Sequence, residues 1–196
     1  MVKNAVADCN HVIHLACISN DPSFDLNPDL GKSINYDAFQ PLVKASKEAG
    51  VERFAYASSC SMYGVGTSTA LTEKAPFQPQ TAYAKSKVEA EKNICTLADK
   101  SFSPIFLRKA TIYGVSPSMR FDLVLNNLTG WAVTTGKIRV MSDGTPWRPL
   151  VHVEDVCNAY IAVLEAPRKT IHNQSFNIGQ NSENHQIRDI AQAIHE

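Results

Sequence analysis

Two hydrophobic periods alternate along the first half of this chain. Runs of strand length occur at His11-Val12-Ile13-His14-Leu15-Ala16, at 51–59 (VERFAYASS) and at 103–110 (SPIFLRKA). The first is compact and apolar enough to read as a buried strand, and the second ends in small hydroxyl residues. Between them lie helical patterns. Residues 1–8 read as the end of a short helix. Residues 28–49 form a long one, with Asn27 as N-cap, Pro28 at the first helical position and Gly50 where a left-handed C-terminal cap belongs. Residues 80–99 form another. The stretch 17–27 is polar and turn-rich, and 60–79 reads as a loop. Strands alternating with long helices predict an α/β fold, its strands parallel, joined by right-handed crossovers and covered by helices on both faces. Such sheets bind ligands beyond the carboxyl ends of their strands.

After Gly114 the pattern changes. It predicts an amphipathic helix over 121–135, a short strand over 137–141, a turn at Asp143-Gly144-Thr145-Pro146 and a strand over 148–153. A helix over 154–166, a strand over 174–178 and a last helix over 183–195 follow. The expected division is 1–114 and 115–196, without a Pro/Gly/Ser linker, the second part mixing sheet additions with a small lobe.

Composition narrows the classes of function. Of 196 residues 44% are hydrophobic and 19% charged, an ordinary globular balance. Lys plus Arg equals Asp plus Glu at 19 each, so no nucleic-acid partner is expected. No apolar run is long enough to span a bilayer and the start has no signal-peptide core, so no membrane partner is expected either. The five cysteines are odd in number and widely spaced, without C-x-x-C. That pattern fits a reducing cytoplasm rather than a disulfide framework or zinc site. His11 and His14 face opposite ways on a strand, so no metal site is expected.

The candidate chemistry centres on Tyr83-Ala84-Lys85-Ser86-Lys87. Tyr83 and Lys87 are four apart and share one helical face. An ammonium beside a phenol favours the phenolate, equipping it to exchange a proton with a substrate hydroxyl. Three strand ends lead to the same edge: Ala16, Cys17 and Ser19; Ser58, Ser59, Cys60 and Ser61; and Ala110, Thr111 and Tyr113. The loop after the second leads to Tyr83, so the Ser59 hydroxyl is placed to hold the oxygen that Tyr83 addresses.

These motifs resemble the extended short-chain dehydrogenase/reductases, specifically sugar-nucleotide epimerases and dehydratases of the UDP-glucose 4-epimerase type. The resemblance is carried by His14-Leu15-Ala16, Asn35, residues 58–64 (SSCSMYG) and residues 83–87 (YAKSK). It continues through Leu107-Arg108, Tyr113-Gly114, residues 143–148 (DGTPWR), residues 151–155 (VHVED) and residues 176–179 (FNIG), in the family's order over nearly all of the chain. It implies a Rossmann-like parallel sheet plus part of a small substrate lobe, an NAD cofactor (with NADP as the other option), a nucleotide-sugar substrate and a homodimer formed through the helices at 28–49 and 80–99. It implies that Tyr83 is the acid/base, that Lys87 depresses its pKa and hydrogen-bonds the nicotinamide ribose, and that Ser59 orients the sugar hydroxyl. Leu15, Ala16, Cys17, Asn35 and Ser58 would border the cofactor, with Tyr83 and Lys87. Ser61, Thr111, Asn127 and Arg148 would contact the nucleotide sugar. Each also admits a structural reading: Ser59 as the cap of the next turn, Thr111 as a β-former, Arg148 as a surface cation, His152 as a core histidine and Asp155 as part of a helix cap.

The chain departs from the family pattern in two places. After Ser59 stand Cys60 and Ser61, where 4,6-dehydratases carry an acidic pair. GDP-fucose synthases also have Ser-Ser-Cys, but 112–120 (IYGVSPSMR) lacks their histidine, so Cys60 reads as packing or pocket wall. No strand–glycine-rich turn–helix cradle for a pyrophosphate is found, Gly64 and Gly66 lying in a loop. About 60 residues, two βα units, would be needed to supply it. The expected sheet is therefore incomplete at its N-terminal side, the chain being a fragment or truncated product with an exposed edge suited to pairing. Two function classes stand open: a 4-epimerase acting by transient oxidation of the sugar, and an inactive scaffold or binding protein. A related NAD(P)-dependent reductase or dehydratase is the nearest enzymatic variant.

Overall fold

The computed structural model describes residues 2–65 and 71–196, and Gly66 lies outside them. In chain order the elements are α1 (Val2–Ala5), β1 (His11–His14), α2 (Asp21–Leu26), α3 (Pro28–Lys32), a π-helical turn (Ser33–Asp37) and α4 (Phe39–Glu48). Next come β2 (Arg53–Ser59), a 3-10 turn (Cys60–Tyr63), α5 (Ala82–Cys95), β3 (Ser103–Lys109), β4 (Thr111–Tyr113) and α6 (Val124–Thr135). The chain ends with β5 (Trp147–His152), α7 (Val153–Glu165), α8 (Arg168–Ile171), β6 (Gln174–Ile178), a 3-10 turn (Asn181–Glu183), β7 (Asn184–Gln186) and α9 (Ile187–His195).

Two compact units result, residues 1–108 with 160–177, and residues 109–159 with 178–196. The first takes back 160–177 because the end of α7 and β6 pack on its sheet. That sheet has the order β1-β2-β3-β6. β1 and β2 are parallel, with Val12 beside Phe54 and His14 beside Tyr56. The Ser103 N–H donates to Glu52 O and the Glu52 N–H to Asn10 O, so β1, β2 and β3 start at one edge of the sheet and end at the other. On one face Phe54, Tyr56, Phe102 and Phe106 pack with Phe39 and Val43 of α4 and Ala90 and Ile94 of α5. On the other, Arg53 donates to the carbonyls of Val163 (3.1 Å) and Leu164 at the end of α7. Helices therefore cover both faces. In the second unit β4 runs parallel to β5, and β5 antiparallel to β7.

Several expectations hold at the level of single residues. Asn27 caps α3, accepting from the Leu30 N–H, with Pro28 at the first helical position. Gly50 adopts φ +88°, left-handed as a helix stop requires.

Others need correction. β1 is not a buried strand. Among the described residues it pairs with β2 alone, and Ile13 and Leu15 are 40% and 60% exposed. The turn-rich stretch 17–27 also holds a short helix, whose cap Asn20 accepts from Ser23 N and whose first turn suits Pro22. The 28–49 helix is divided by the π turn. Residues 137–141 form no strand; Ile138 packs sideways against Leu128, Leu150 and Ile190. The last helix starts later than 183, since 184–186 pair with β5 and a capping box between Gln186 and Asp189 begins it at Ile187.

Candidate functional site

α5 is set by its first residues. Thr81 has extended backbone and its side chain accepts from the Ala84 N–H, so helix begins immediately before Tyr83. Tyr83 and Lys87 then fall on the face turned to the sheet. Lys87 is 2% exposed. Its Nζ donates to the Ala57 carbonyl of β2 at 2.9 Å and to Cys17 Sγ at 3.5 Å. The same nitrogen lies 4.8 Å from the Tyr56 ring centre and 5.4 Å from that of Tyr83. An ammonium has three N–H donors, so one remains without a protein acceptor among the described residues. Burial pulls the Lys87 pKa below its ordinary value, opposed by the charge and hydrogen bond of Cys17 and the charge of Glu91. Burial raises the Tyr56 phenol well above 10, with Cys17, Tyr83, Glu91 and Tyr160 acting in the same direction.

Ser59 ends β2 one residue before the 3-10 turn. Its Oγ accepts from Ser61 N at 3.2 Å and Ser61 Oγ at 2.9 Å. It is thus a turn cap, as the structural reading expected, and more than that. With two bonds accepted, its own O–H is left to donate, having no acceptor among the described residues. Ser58 is fully buried and its hydroxyl donates to Met62 Sδ at 3.0 Å, so its side chain braces the turn.

The loop after β1 is held from beneath. Asn35 accepts from Ile18 N (2.8 Å) and donates to Ile18 O (2.9 Å), fixing the peptide next to Cys17. Asn35 is itself buried on the π turn, a local widening frequent at functional sites. Leu15 and Ala16 lead into this loop, Leu15 exposed. His14 stacks on Phe54 and Tyr56 and packs tilted against Phe39, and burial, then the charge of Lys87, lowers its pKa to about 4 against an opposing hydrogen bond to the Ala16 backbone.

Three sequence-predicted residues belong to the second unit. Thr111 is in β4, paired with Leu150. Asn127 on α6 donates to Phe121 O at 2.7 Å, and exposed Arg148 donates to Trp147 O at 2.8 Å. His152 is half-exposed rather than core, packed edge-on to Tyr113 with Nδ1 accepting from Glu154 N at 3.4 Å. Asp155 lies in the first turn of α7.

Sequence reasoning missed a buried network around Arg108 on β3. The guanidinium donates to Glu91 of α5 through Nε and through Nη2 (2.6 Å), and through Nη1 to Tyr63 Oη and Glu73 O, both at 2.9 Å. Tyr63 Oη donates to Asn177 Oδ1 at 2.7 Å, while Glu73 Oε1 accepts from Asn177 N at 2.8 Å. Arg108 and Asn177 lay within the motifs; Glu91, four residues past Lys87, was the available signal.

A nicotinamide-dinucleotide cofactor fits part of this arrangement. The free N–H of buried Lys87 suits a ribose hydroxyl, beside the peptide bracketed by Asn35. Among the described residues no glycine-rich turn joins a strand to a helix, so the fit covers the nicotinamide–ribose end. A parallel α/β sheet with serine, tyrosine and buried lysine at its carboxyl edge is the arrangement of the short-chain dehydrogenase/reductase class.

The chain belongs to the NAD-dependent epimerase/dehydratase family, whose model matches residues 2–179. It is 28% identical over 155 residues to the UDP-glucose 4-epimerase of Bacillus subtilis, covering 70% of this chain and 46% of that protein. It is 29% identical over 151 residues to the dTDP-D-glucose 4,6-dehydratase of Mus musculus, covering 76% and 41%. Among solved structures, MoeE5 in complex with UDP-glucose and NAD superposes with a TM-score of 0.86 at 28% identity, over 98% of this chain and 64% of that one. The UDP-glucuronic acid 4-epimerase of Bacillus cereus, in complex with UDP-glucuronic acid and NAD, gives 0.86 at 26% identity, over 98% and 60%. The chain thus spans about half the length of the curated relatives it matches. Among the described residues no helix is long and apolar enough to cross a membrane.

Proposed function

We propose that this chain carries the proton-transfer machinery of an NAD-dependent nucleotide-sugar 4-epimerase. The observation that carries the reading is Lys87, buried at 2% exposure, facing the Tyr83 ring at 5.4 Å with one N–H uncommitted. Bound NAD supplies a hydride acceptor that returns the hydride at the end of the cycle. The residues of the chain manage the proton. Tyr83, as phenolate, takes the proton of the sugar 4-hydroxyl during oxidation and returns it during reduction. The Lys87 ammonium stabilises that phenolate, and its third donor holds a ribose hydroxyl of the cofactor. Ser59 donates to the reacting sugar oxygen, because its acceptor sites are filled by Ser61. Cys17 and the Ile18 peptide, set by Asn35, border the nicotinamide side. Thr111, Asn127 and Arg148 bind the nucleotide sugar, the guanidinium suiting a diphosphate. Cys60 and Ser61 offer no carboxylate after Ser59, which favours epimerisation over elimination of water. A cytoplasmic homodimer joined through α3–α4 and α5 belongs to the same reading.

The test is proton NMR of the anomeric region, with the chain incubated with NAD and UDP-glucose and, separately, with NADP. Conversion to UDP-galactose is expected with NAD, slowed at least ~100-fold by Tyr83→Phe. A folded wild-type chain that converts nothing under these conditions favours the second reading, a scaffold or binding protein.

A further inference from the structure

Arg108 touches none of the groups assigned to proton transfer, yet its hydrogen bonds end on the two elements that carry them. Tyr83, Lys87 and Glu91 follow one another at intervals of four along the sheet-facing side of α5, and Glu91 is the residue Arg108 grips through Nε and Nη2. Tyr63 lies four residues past Ser59, at the end of the 3-10 turn that Ser59 caps, and it accepts from Arg108 Nη1. The remaining Nη1 bond goes to Glu73 O, on the chain between Ser59 and Tyr83. The fork is fixed sideways as well, 4.8 Å from the Phe77 ring centre and 5.6 Å from that of Tyr63.

We infer that Arg108 is a positioning residue that sets the Ser59-to-Tyr83 geometry by clamping Glu91 and Tyr63 onto one guanidinium. The inference rests on the proton-transfer reading above and concerns how that site is held. Three properties of arginine make it suited to the role. The plane fixes the angle between its two partners, the charge is constant at every working pH, and four of its five donors are used here. A lysine at 108 keeps the charge and can reach one partner, but it cannot set an angle between two. Misplacing a reacting group by about 1 Å costs on the order of 100-fold in rate.

Arg108→Lys is the test, with Tyr63→Phe as a second variant that removes one hydroxyl and conserves volume and charge. Both are checked for fold by circular dichroism and thermal unfolding. Two quantities are then read. The first is the ionisation midpoint of Tyr83, followed by 13C NMR of ring-labelled tyrosine and assigned with Tyr83→Phe. Lys87 of α5 lies 5.4 Å from the Tyr83 ring and Tyr56 of β2 is coupled to Tyr83, while Glu91 of α5 and Cys17 of the β1 loop act on both Lys87 and Tyr56. Arg108→Lys leaves every one of these charges in place, so only displacement moves the midpoint. The second is kcat and KM for UDP-glucose in the presence of NAD.

The expected result is an upward shift of the Tyr83 midpoint in Arg108→Lys and a kcat at least tenfold lower in both variants, with KM within about twofold. Folded variants that keep the wild-type Tyr83 midpoint and kcat overturn the inference. A wild-type Tyr83 that ionises like a free phenol overturns the proton-transfer reading instead. If the wild-type chain shows no turnover, the midpoints of wild type and Arg108→Lys decide the inference by themselves.

Discussion

Replacing Lys87 by methionine separates stability from chemistry. The ammonium is hydrogen-bonded to a charge-neutral carbonyl at 2.9 Å and flanked by two aromatic rings. The charged hydrogen bond contributes about 1.5–3 kcal/mol, and each ring about 0.5–2 kcal/mol. Against this stands the removal of an ammonium from water, several kcal/mol even after relaxation. The lowered pKa of Lys87, with burial as its largest cause, says that the second effect exceeds the first. Methionine has nearly the same length and no charge to desolvate. Lys87→Met is therefore expected to equal or exceed wild type by about 0–3 kcal/mol at pH 7, as when other buried charges yield to apolar residues. The sign of the pH dependence follows from linkage. A lysine whose folded pKa lies below its unfolded value destabilises at every pH below the folded pKa. That penalty fades as pH rises toward the unfolded value of 10.5. The advantage of the variant should accordingly shrink between the lowered pKa and pH 10.5. Urea unfolding of both proteins at neutral pH and in steps up to pH 10.5 measures it, the difference between them cancelling groups they share. Function goes the other way. With the 5.4 Å from Nζ to the Tyr83 ring centre taken as the charge separation and an effective dielectric constant of about 20, the ammonium stabilises a Tyr83 phenolate by about 3 kcal/mol, so turnover should fall on the order of 100-fold. A loss of more than about 2 kcal/mol at pH 7, or a difference that does not change with pH, would refute this account of Lys87.

His14 and Gly64 give two further tests. With a folded pKa of about 4 against 6.5 unfolded, neutral His14 takes up no proton in the folded state over a window where the unfolded chain does, so stability falls as pH drops from 6.5 through 4. His14→Phe, which keeps the ring packing on Phe39 and Phe54, should remove that part of the slope, on the order of 1–2 kcal/mol once partial exposure is allowed for; unfolding curves at pH 7 and pH 4 read it. Gly64 has φ +68°, and a Cβ there would lie 2.0 Å from Gln78 O. Gly64→Ala should therefore lower stability by more than about 2 kcal/mol in thermal unfolding, and an unchanged Tm would show that Gln78, whose N–H donates to Met62 O at 3.0 Å, gives way.

What could be read in the sequence was whatever depends on local spacing. The caps at Asn27 and Gly50 and the shared face of Tyr83 and Lys87 need only one element, and they appear as expected. What escaped depends on partners distant in the chain. β1 has an apolar sequence yet lies at a sheet edge, because burial is set by how many strands surround it rather than by its own composition. Residues 137–141 have strand-like character, but Ile138 meets a side-chain cluster before it meets a backbone partner. The π turn is invisible to a 3.6-residue pattern because Asn35 is polar on a face that otherwise reads as helix. The side chain of Asn35 grips the peptide of Ile18, 17 residues earlier, a contact that no local spacing announces. Arg108, Glu91, Tyr63, Glu73 and Asn177 are spread over more than 110 residues, and no window of sequence brings them together.

The two buried cations beside α5 differ in a way that distinguishes their roles. Burial alone lowers the pKa of both. For Arg108 that effect is outweighed by the hydrogen bonds and charge of Glu91, then by Tyr63, and the guanidinium stands above its ordinary value. For Lys87 the partners are a carbonyl and a thiol, and the pKa stays lowered. Arg108 has four of its five donors committed to protein acceptors on Glu91, Tyr63 and Glu73, so its charge is compensated within the protein. An under-paired cation such as Lys87 is held in the interior at a cost, by the packing of Tyr56 and α5, and becomes better satisfied only when something else supplies an acceptor and a negative charge. A ribose hydroxyl and a phenolate are such groups. Pairing, more than burial, therefore distinguishes the lysine that keeps a donor to offer from the arginine whose partners lie within the protein.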